Sequence, residues 1–442
     1  MAALALILAA CTSTTEPDTG VDPGPAAQPD DSGPIAGGTL TFGVLGEPPT
    51  LDPYSPIASD LTYALARPVY PSLYRFLPDG TPEPYLATSM VARPGRAVVT
   101  LREAEWSDGT PITARDVAAT VRRASAPSGF VGLTARALGR RRVRLTGRVR
   151  MWPRTLARLA FVLPHGRVRR KVSGGPFEVR KLTSGLELIL VQNESWWGGE
   201  PAHLDRVRVQ FFQTASTMAS LIDDGKLDAA SLPSNVHLGE RLEADGIGYE
   251  SRLGWESIRL DLAGVGADYS TRLALASSFD RAVIEETFVR EEGRIANTLT
   301  PEPGPAGASG PWTKMPRVAP VLSIAASFSA PQGDDLIDYT VRALHEQSRR
   351  AGHDLEVIQT DAARFYGPWT DRPRTDVALR RVAGAPGMPE TRNAFSELTA
   401  LPLFHVETFV AFRQAVQGFD VNPTVEGPLW NLEEVWLEPP AK

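Results

Sequence analysis

The sequence predicts an α/β protein of two or three lobes, and three observations lead there. At 442 residues the chain is too long for one ordinary hydrophobic core. A hydrophobic content of 42% and a charged content of 22% are those of a globular protein. Through much of the second half, β-branched runs alternate with stretches of helical periodicity, a pattern that builds helix-covered sheets rather than a sandwich or a bundle. The net charge of −6 carries no general attraction to nucleic acid. Of 46 basic residues only five are lysine, a skew read as GC-rich coding rather than as function.

Residues 1–10 form an apolar run. It is far shorter than the roughly 20 residues of a membrane-spanning helix and suits the h-region of a secretory signal. The sole cysteine, Cys11, follows directly. Leu8-Ala9-Ala10-Cys11 resembles the lipobox of bacterial lipoproteins, in which the thiol receives a diacylglycerol and becomes the mature N-terminus. An ordinary secretory signal with a chance cysteine is the alternative. No Lys or Arg precedes the run, a departure from the usual positive n-region that fits a natural start upstream of Met1. Residues 12–38 carry five acids and five prolines with almost nothing to bury, and are expected to be a disordered tether.

Residues 37–44 read as the entry to a buried strand, followed by the proline-rich loop 46–56, which is well placed to line a cleft. Residues 61–77 mix helix and strand signals around Tyr63, Tyr70 and Tyr74. A strand over 97–102 leads into the turn cluster Ser107-Asp108-Gly109-Thr110. Thr113 is then a helix N-cap, with Asp116 placing negative charge at the positive end of the helix dipole. Val117, Val121 and Ala124 form one apolar stripe at i, i+4 and i+7. Turn and cap chemistry accounts for this polar cluster, and no histidine near Ser107 in the sequence is there to activate it.

From 136 to 171 the chain holds thirteen basic residues and no acid. Val143, Leu145 and Val149 alternate with arginines around Thr146-Gly147, as in a hairpin with one wet, basic face. A solvated surface and a patch facing anionic headgroups or an anionic ligand both satisfy this pattern. Residues 174–212 predict strand, turn, strand, a Trp-rich loop and a further strand. An amphipathic helix over 214–224 stops at Gly225, and with strands at 207–211 and 229–232 it makes a β-α-β unit. A strand at 257–262 precedes a helix at 271–289. A strand at 321–324 precedes a helix at 334–351, and 355–358 is a strand again.

No enzymatic constellation is present. The six histidines are scattered, His345-Glu346 lacks the second histidine of HExxH, and there is no Walker A loop, GxGxxG or GxSxG. Metal binding by thiolates is excluded because the one cysteine is assigned to anchoring, and no cofactor is expected.

Several segments together resemble one family, the large extracytoplasmic solute-binding proteins of ABC importers in the oligopeptide, dipeptide and nickel class. Residues 37–54 (GGTLTFGVLGEPPTLDPY) resemble its opening strand and loop, and 101–120 (LREAEWSDGTPITARDVAAT) its signature segment. The mid-chain block within 175–209, the stretch from Ser270 to Ile284 and the ending from Ala415 to Trp436 also fit. The resemblance implies a two-lobed α/β clamp of the periplasmic-binding-protein type with an additional subdomain. Residues 1–10 would be a signal peptide and 11–37 the lipidated cysteine and tether. Residues 38–55, 172–255 and 401–442 would form the first lobe, 56–171 the extra subdomain and 256–400 the opposing lobe. Crossings near 255 and 401 would form the hinge.

On this reading the chain is not an enzyme. It is the lipid-anchored, monomeric receptor of an importer on the outer face of the cytoplasmic membrane. It captures a peptide or similar small solute for ABC permease subunits and has no nucleic-acid partner. A degenerate extracytoplasmic sensor or interaction protein of the same fold is the alternative. Residues 117–175 and 380–402 look shorter than in the family, and the Trp-Asp pair that clamps a peptide's α-amino group is replaced by a stretch containing Arg380 and Arg381. Arg380 is either a bidentate anion binder or a solvated strand end. The expected ligand-binding residues are Tyr54, Tyr70, Trp255, Asp261, Trp312, Tyr366, Trp369 and Arg380, with lipidation at Cys11. Trp196 and Trp197 are expected to be structural.

Overall fold

A computed structural model describes residues 33–439 apart from 56, 57, 59, 125–131, 150, 159–160, 166–171, 234–241, 243–246, 267, 290–292, 300–309, 317, 319–322, 333, 362–363, 366–374 and 384–393. Cys11, Tyr366 and Trp369 lie outside the described residues.

The first strand, β1 (Thr39–Leu45), alternates into the core through Leu40, Phe42 and Val44. Residues 61–77, which mix two signals in sequence, resolve into a short helix α1 (Asp60–Ala66) and a strand β2 (Tyr74–Phe76), which pairs with β3 (Pro82–Pro84). Next come β4 (Ala87–Arg93), β5 (Arg96–Leu101) and the helix α2 (Ala114–Ala124). Thr113 caps this helix as expected: its Oγ1 accepts from Arg115 N–H, while Asp116 Oδ2 accepts from Thr113 N–H at 2.7 Å. That is a reciprocal capping box with aspartate in the acidic position.

Strands β6 (Thr134–Ala137) and β7 (Arg142–Thr146) complete a four-stranded antiparallel sheet in the order β4-β5-β7-β6. The reversal in this hairpin falls between Ala137 and Arg142, not at Thr146-Gly147, where β7 ends. Gly139 supplies the positive φ of this turn, a signal that the more regular alternation around Thr146 outweighs in sequence. A helix α3 (Trp152–Arg158) follows, and then β8 (Phe177–Thr183), β9 (Glu187–Gln192) and β10 (Arg206–Phe212), as the sequence predicts.

Helix α4 (Ala215–Asp223) is capped by Thr214 and ends before Gly225 at φ +68°. With β11 (Ala229–Pro233) it closes the expected β-α-β unit, in which β10 and β11 both run parallel to β1, on its two sides. The strand expected at 257–262 is only the second half of β12 (Gly248–Asp261). The helix expected at 271–289 is broken: α5 (Tyr269–Ser277) stops, Asp280 caps α6 (Arg281–Ile284), and a π-turn runs to Val289. A side-chain cap inside an apolar periodicity restarts the helix, and periodicity alone does not show it.

After β13 (Gly293–Ile295), strand β14 (Ala325–Pro331) starts later than the 321–324 expected. Helix α7 (Asp335–Arg350) has Asp334 as its cap, and β15 (Asp354–Thr360), β16 (Val377–Ala383) and β17 (Ala400–Phe412) follow.

Among the described residues the main sheet has eleven strands, in the order β15-β14-β16-β12-β17-β11-β1-β10-β9-β8 with β13 on β17. Its apolar side chains fall into separate clusters. One gathers residues of 54–172 together with Trp255, and a second is drawn from 258–406. Two smaller ones are built on β1, β9, β10 and the C-terminal stretch, and on α4, β11 and Phe409. Each sheet region therefore faces its own core, and β12 and β17 are the strands that pass between them.

Candidate functional site: the strands that join two cores

Strand β12 pairs with β17 from Gly248↔Phe412 to Leu253↔Glu407, loses register, resumes from Glu256↔Val406 to Ile258↔Phe404, and after a second, one-residue shift runs from Arg259↔Pro402 to Asp261↔Ala400. Before the break, Tyr249 packs on the cluster of Phe409 and Ala411; after it, Ile258 and Leu260 enter the core that holds Leu401, Phe404 and Val406. Gly254 and Trp255 occupy the bulge, which bends the strand and breaks the ladder where the chain changes core. The corresponding passage on β17 lies at Glu407 and Thr408, later than position 401, because Leu401, Leu403 and Phe404 still belong to the opposing core.

Trp255 is 6% exposed and held by two segments, the β2–β3 turn and the stretch at Pro423. Its backbone N–H donates to Pro423 O at 2.7 Å, its ring meets Phe76 edge-on at a centroid distance of 4.8 Å, and its Cζ2 lies against Gly80. Beyond the bulge, Arg259 and Arg380 stand directly opposite each other on β12 and β16. Like charges so placed repel. Asp261 lies between them, with Oδ1 at 3.1 Å from Arg259 Nε and Oδ2 at 3.0 Å from Arg380 Nε. The trio is partly exposed and keeps one net positive charge. Arg381 points to the opposite sheet face, as a period of two requires, and pairs with Asp334 at 2.8 Å.

The other expected residues are taken up in apolar packing. Tyr54 is buried, with its hydroxyl donating to Phe161 O at 2.6 Å and accepting from Phe161 N–H. Burial raises its pKa well above that of an ordinary phenol. Tyr70 is partly buried between two clusters. Trp312 is buried against Phe395, with a centroid distance of 5.2 Å, and its indole N–H has no acceptor among the described residues. Asp261 and Arg380 are thus brought together, Tyr54, Tyr70 and Trp255 share one apolar cluster as packing residues, and Trp312 lies in another. Trp197 donates to Gly174 O and packs edge-on against Tyr85, the structural role expected of it.

Two features escape sequence reading. Arg259 is the second partner of Asp261, signalled only by the strand spacing Arg-x-Asp. The other is a buried ionic cluster behind the junction. Arg67 Nε meets Glu426 Oε2 at 2.5 Å, and Glu426 Oε1 also accepts from Phe76 N–H. Burial pushes Arg67 down and Glu426 up, and in each the partner's charge opposes that. Arg75 pairs with Glu83 and Glu433 and lies 4.7 Å from the Tyr85 ring and 5.0 Å from that of Trp430. Burial works against its charge, but Tyr85, Glu433 and Glu83 outweigh it and raise its pKa. The Arg75–Glu433 pair joins segments 358 residues apart. Among the described residues no group of His, Cys, Asp and Glu could hold a metal.

The family model described as bacterial extracellular solute-binding proteins, family 5, middle, matches residues 81–334. The chain belongs to this family. Family 5 proteins are transport binding proteins rather than enzymes, in keeping with the lack of a catalytic constellation in the sequence. The oligopeptide-binding protein OppA of Mycobacterium bovis and that of Mycobacterium tuberculosis are each 25% identical over 257 residues, covering 50% of this chain and 43% of theirs. The chain thus matches less than half the length of these relatives. The oligopeptide-binding protein AppA from Bacillus subtilis, solved with a nonapeptide, superposes with a TM-score of 0.75 at 15% identity, covering 92% of this chain and 100% of that one. AgaA from A. tumefaciens R10, solved with agropinic acid, gives 0.74 at 18% identity over 91% of this chain and 99% of that one. These likenesses establish the two-lobed binding-protein fold for this family 5 chain.

Proposed function

We propose that this family 5 protein is the solute-capturing component of an ABC importer. Two lobes close on a peptide or similar small solute by bending where β12 and β17 pass between cores. The observation that carries this reading is the pair of strands shared by two cores and broken in register at Gly254 and Trp255, which is how a hinge of few residues is built. The lobes are taken as 38–55, 172–255 and 401–442 against 256–400, with 56–171 as the extra subdomain. The end of the β17 crossing supports moving the second boundary a few residues beyond 401.

The ligand is expected between the lobes, in contact with Asp261, Arg380, Tyr366 and Trp369 and near the partly buried Tyr70, with the buried Tyr54, Trp255 and Trp312 packed behind its walls. A diacylated Cys11 would hold the protein on the outer face of the membrane beside its permease. Peptides are the first solutes to test, because the mycobacterial relatives carry that name. Asp261, held between two arginines, favours a solute other than one bound by its free α-amino group, and it equally suits a relative that senses rather than delivers.

The test is to purify the chain, release what co-purifies, and identify it by mass spectrometry. The released compound should quench tryptophan fluorescence and raise Tm. If nothing co-purifies and broad peptide and anion panels leave Tm unchanged, the receptor reading fails. Cys11→Ala should release the protein from membranes, and continued membrane association would exclude the lipid anchor.

A further inference from the structure

Positive charge in this chain is concentrated in one part of the fold. Residues 56–171 hold twenty-one Lys and Arg against seven Asp and Glu, in a chain whose net charge is −6. The register of the β4-β5-β7-β6 sheet decides where these charges point. Ala97, Val99, Leu101, Val143 and Leu145 face the buried core. The alternate positions therefore share the outer face: Val91 and Arg93 on β4, Arg96 and Val98 on β5, Arg142 and Arg144 on β7, and Arg136 on β6. Ser89, Thr100, Thr134 and Thr146 fill its remaining positions, so this face carries five arginines and no carboxylate.

Two pairs of these arginines stand directly opposite each other, Arg93↔Arg96 and Arg136↔Arg144. Such like-charged pairs destabilise a sheet. None of the five has a carboxylate partner among the described residues, in contrast to Arg141 just outside the face, which reaches Glu103 at 3.0 Å. Val91, 71% exposed, is the most exposed large apolar side chain of the described chain and lies on the same face.

We propose that this outer sheet face is a docking surface for an anionic phospholipid bilayer. The partner must supply negative charge over an area wide enough to meet several strands at once, and must accept an apolar side chain between the arginines. A planar headgroup layer does both, since guanidinium groups take phosphate oxygens bidentately and the acyl boundary lies just beneath. The cross-strand repulsion within the free face is relieved when phosphates enter between the arginines. The surface acts independently of the solute site and of acylation at Cys11.

The test uses the full chain with Cys11→Ser, so that no acyl chain contributes, in co-sedimentation with phosphatidylcholine vesicles with and without phosphatidylglycerol. Binding should require phosphatidylglycerol and weaken steeply between about 0.1 M and 1 M salt as the Debye length shrinks. Replacing Arg93, Arg96, Arg136, Arg142 and Arg144 by Gln should lower partitioning by at least about tenfold. Tm should stay level or rise, because two repulsive pairs are removed. Equal binding to both vesicle types by the parent chain overturns the proposal whatever the variant does. So does undiminished binding by a folded variant. Stronger binding to soluble polyglutamate than to phosphatidylglycerol vesicles overturns it in favour of an acidic protein partner.

Discussion

Trp255 lies so close to Gly80 that a Cβ on the glycine would stand 2.9 Å from the indole Cζ2. The glycine also has φ +80°, a region that L side chains avoid. The turn at Gly80 and the bulge of β12 are therefore fitted to each other, and the tryptophan is the part they share. Gly80→Ala should cost about 1–3 kcal/mol from backbone strain and displacement of the ring. Gly109→Ala, at φ +74° with open space around it, should cost only the strain, about 1 kcal/mol. Urea unfolding of the two variants checks this; equal losses would mean that the Trp255 contact contributes nothing.

The pair Arg67–Glu426 is buried on both sides, so removing one partner leaves a charge without compensation. Glu426→Ala should destabilise by about 3–5 kcal/mol, whereas Arg67→Met with Glu426→Leu together should lose far less. A double-mutant cycle in urea reads the difference. If the single and double variants lose the same amount, the pair is not what holds α1 to the C-terminal segment.

Asp261 separates Arg259 from Arg380. Asp261→Asn should lower stability by about 1 kcal/mol at low ionic strength, since the trio is partly exposed. The loss should shrink as salt screens the two guanidiniums. Thermal melts across a salt series provide the measurement, and Arg380→Gln added to Asp261→Asn should recover part of the loss.

Asp268 caps α5 by accepting from Ser270, Thr271 N–H and Thr271 Oγ1, and these bonds hold its carboxyl well below the usual carboxylate range, the Ser270 bond foremost. A folded pKa depressed below the unfolded one gives stability that is complete above about pH 4 and is lost as pH falls toward the folded value. Asp268→Asn keeps a capping oxygen without the charge. Unfolding midpoints of parent and variant should therefore differ above about pH 4 and converge on acidification. A constant gap would exclude the linkage.

Local chemistry was legible in advance wherever a residue acts within a few positions of itself. The Thr113 and Asp116 capping box, the β-α-β unit around α4 and the helix from Asp335 to Arg350 all follow from side chains that satisfy nearby backbone or from one regular apolar stripe. The restart at Asp280 and the hairpin turn at Gly139 were hidden because a local cap or glycine breaks a periodicity that otherwise continues. Strand β17 marks its passage between cores only by the polar, half-buried pair Glu407-Thr408, a short interruption of a run that is otherwise buried from Ala400 to Ala411 whichever core receives it.

The sequence by itself determined the α/β class and the family, because these rest on periodicity, turn chemistry and contiguous motifs. Only the tertiary structure decided that Arg259 and Arg380 share Asp261, that Arg67 meets Glu426, and that Trp255 rests on Gly80. Those relations depend on strand register and on segments hundreds of residues apart. No one-dimensional pattern carries register, since shifting a strand by one residue reverses every side chain on it.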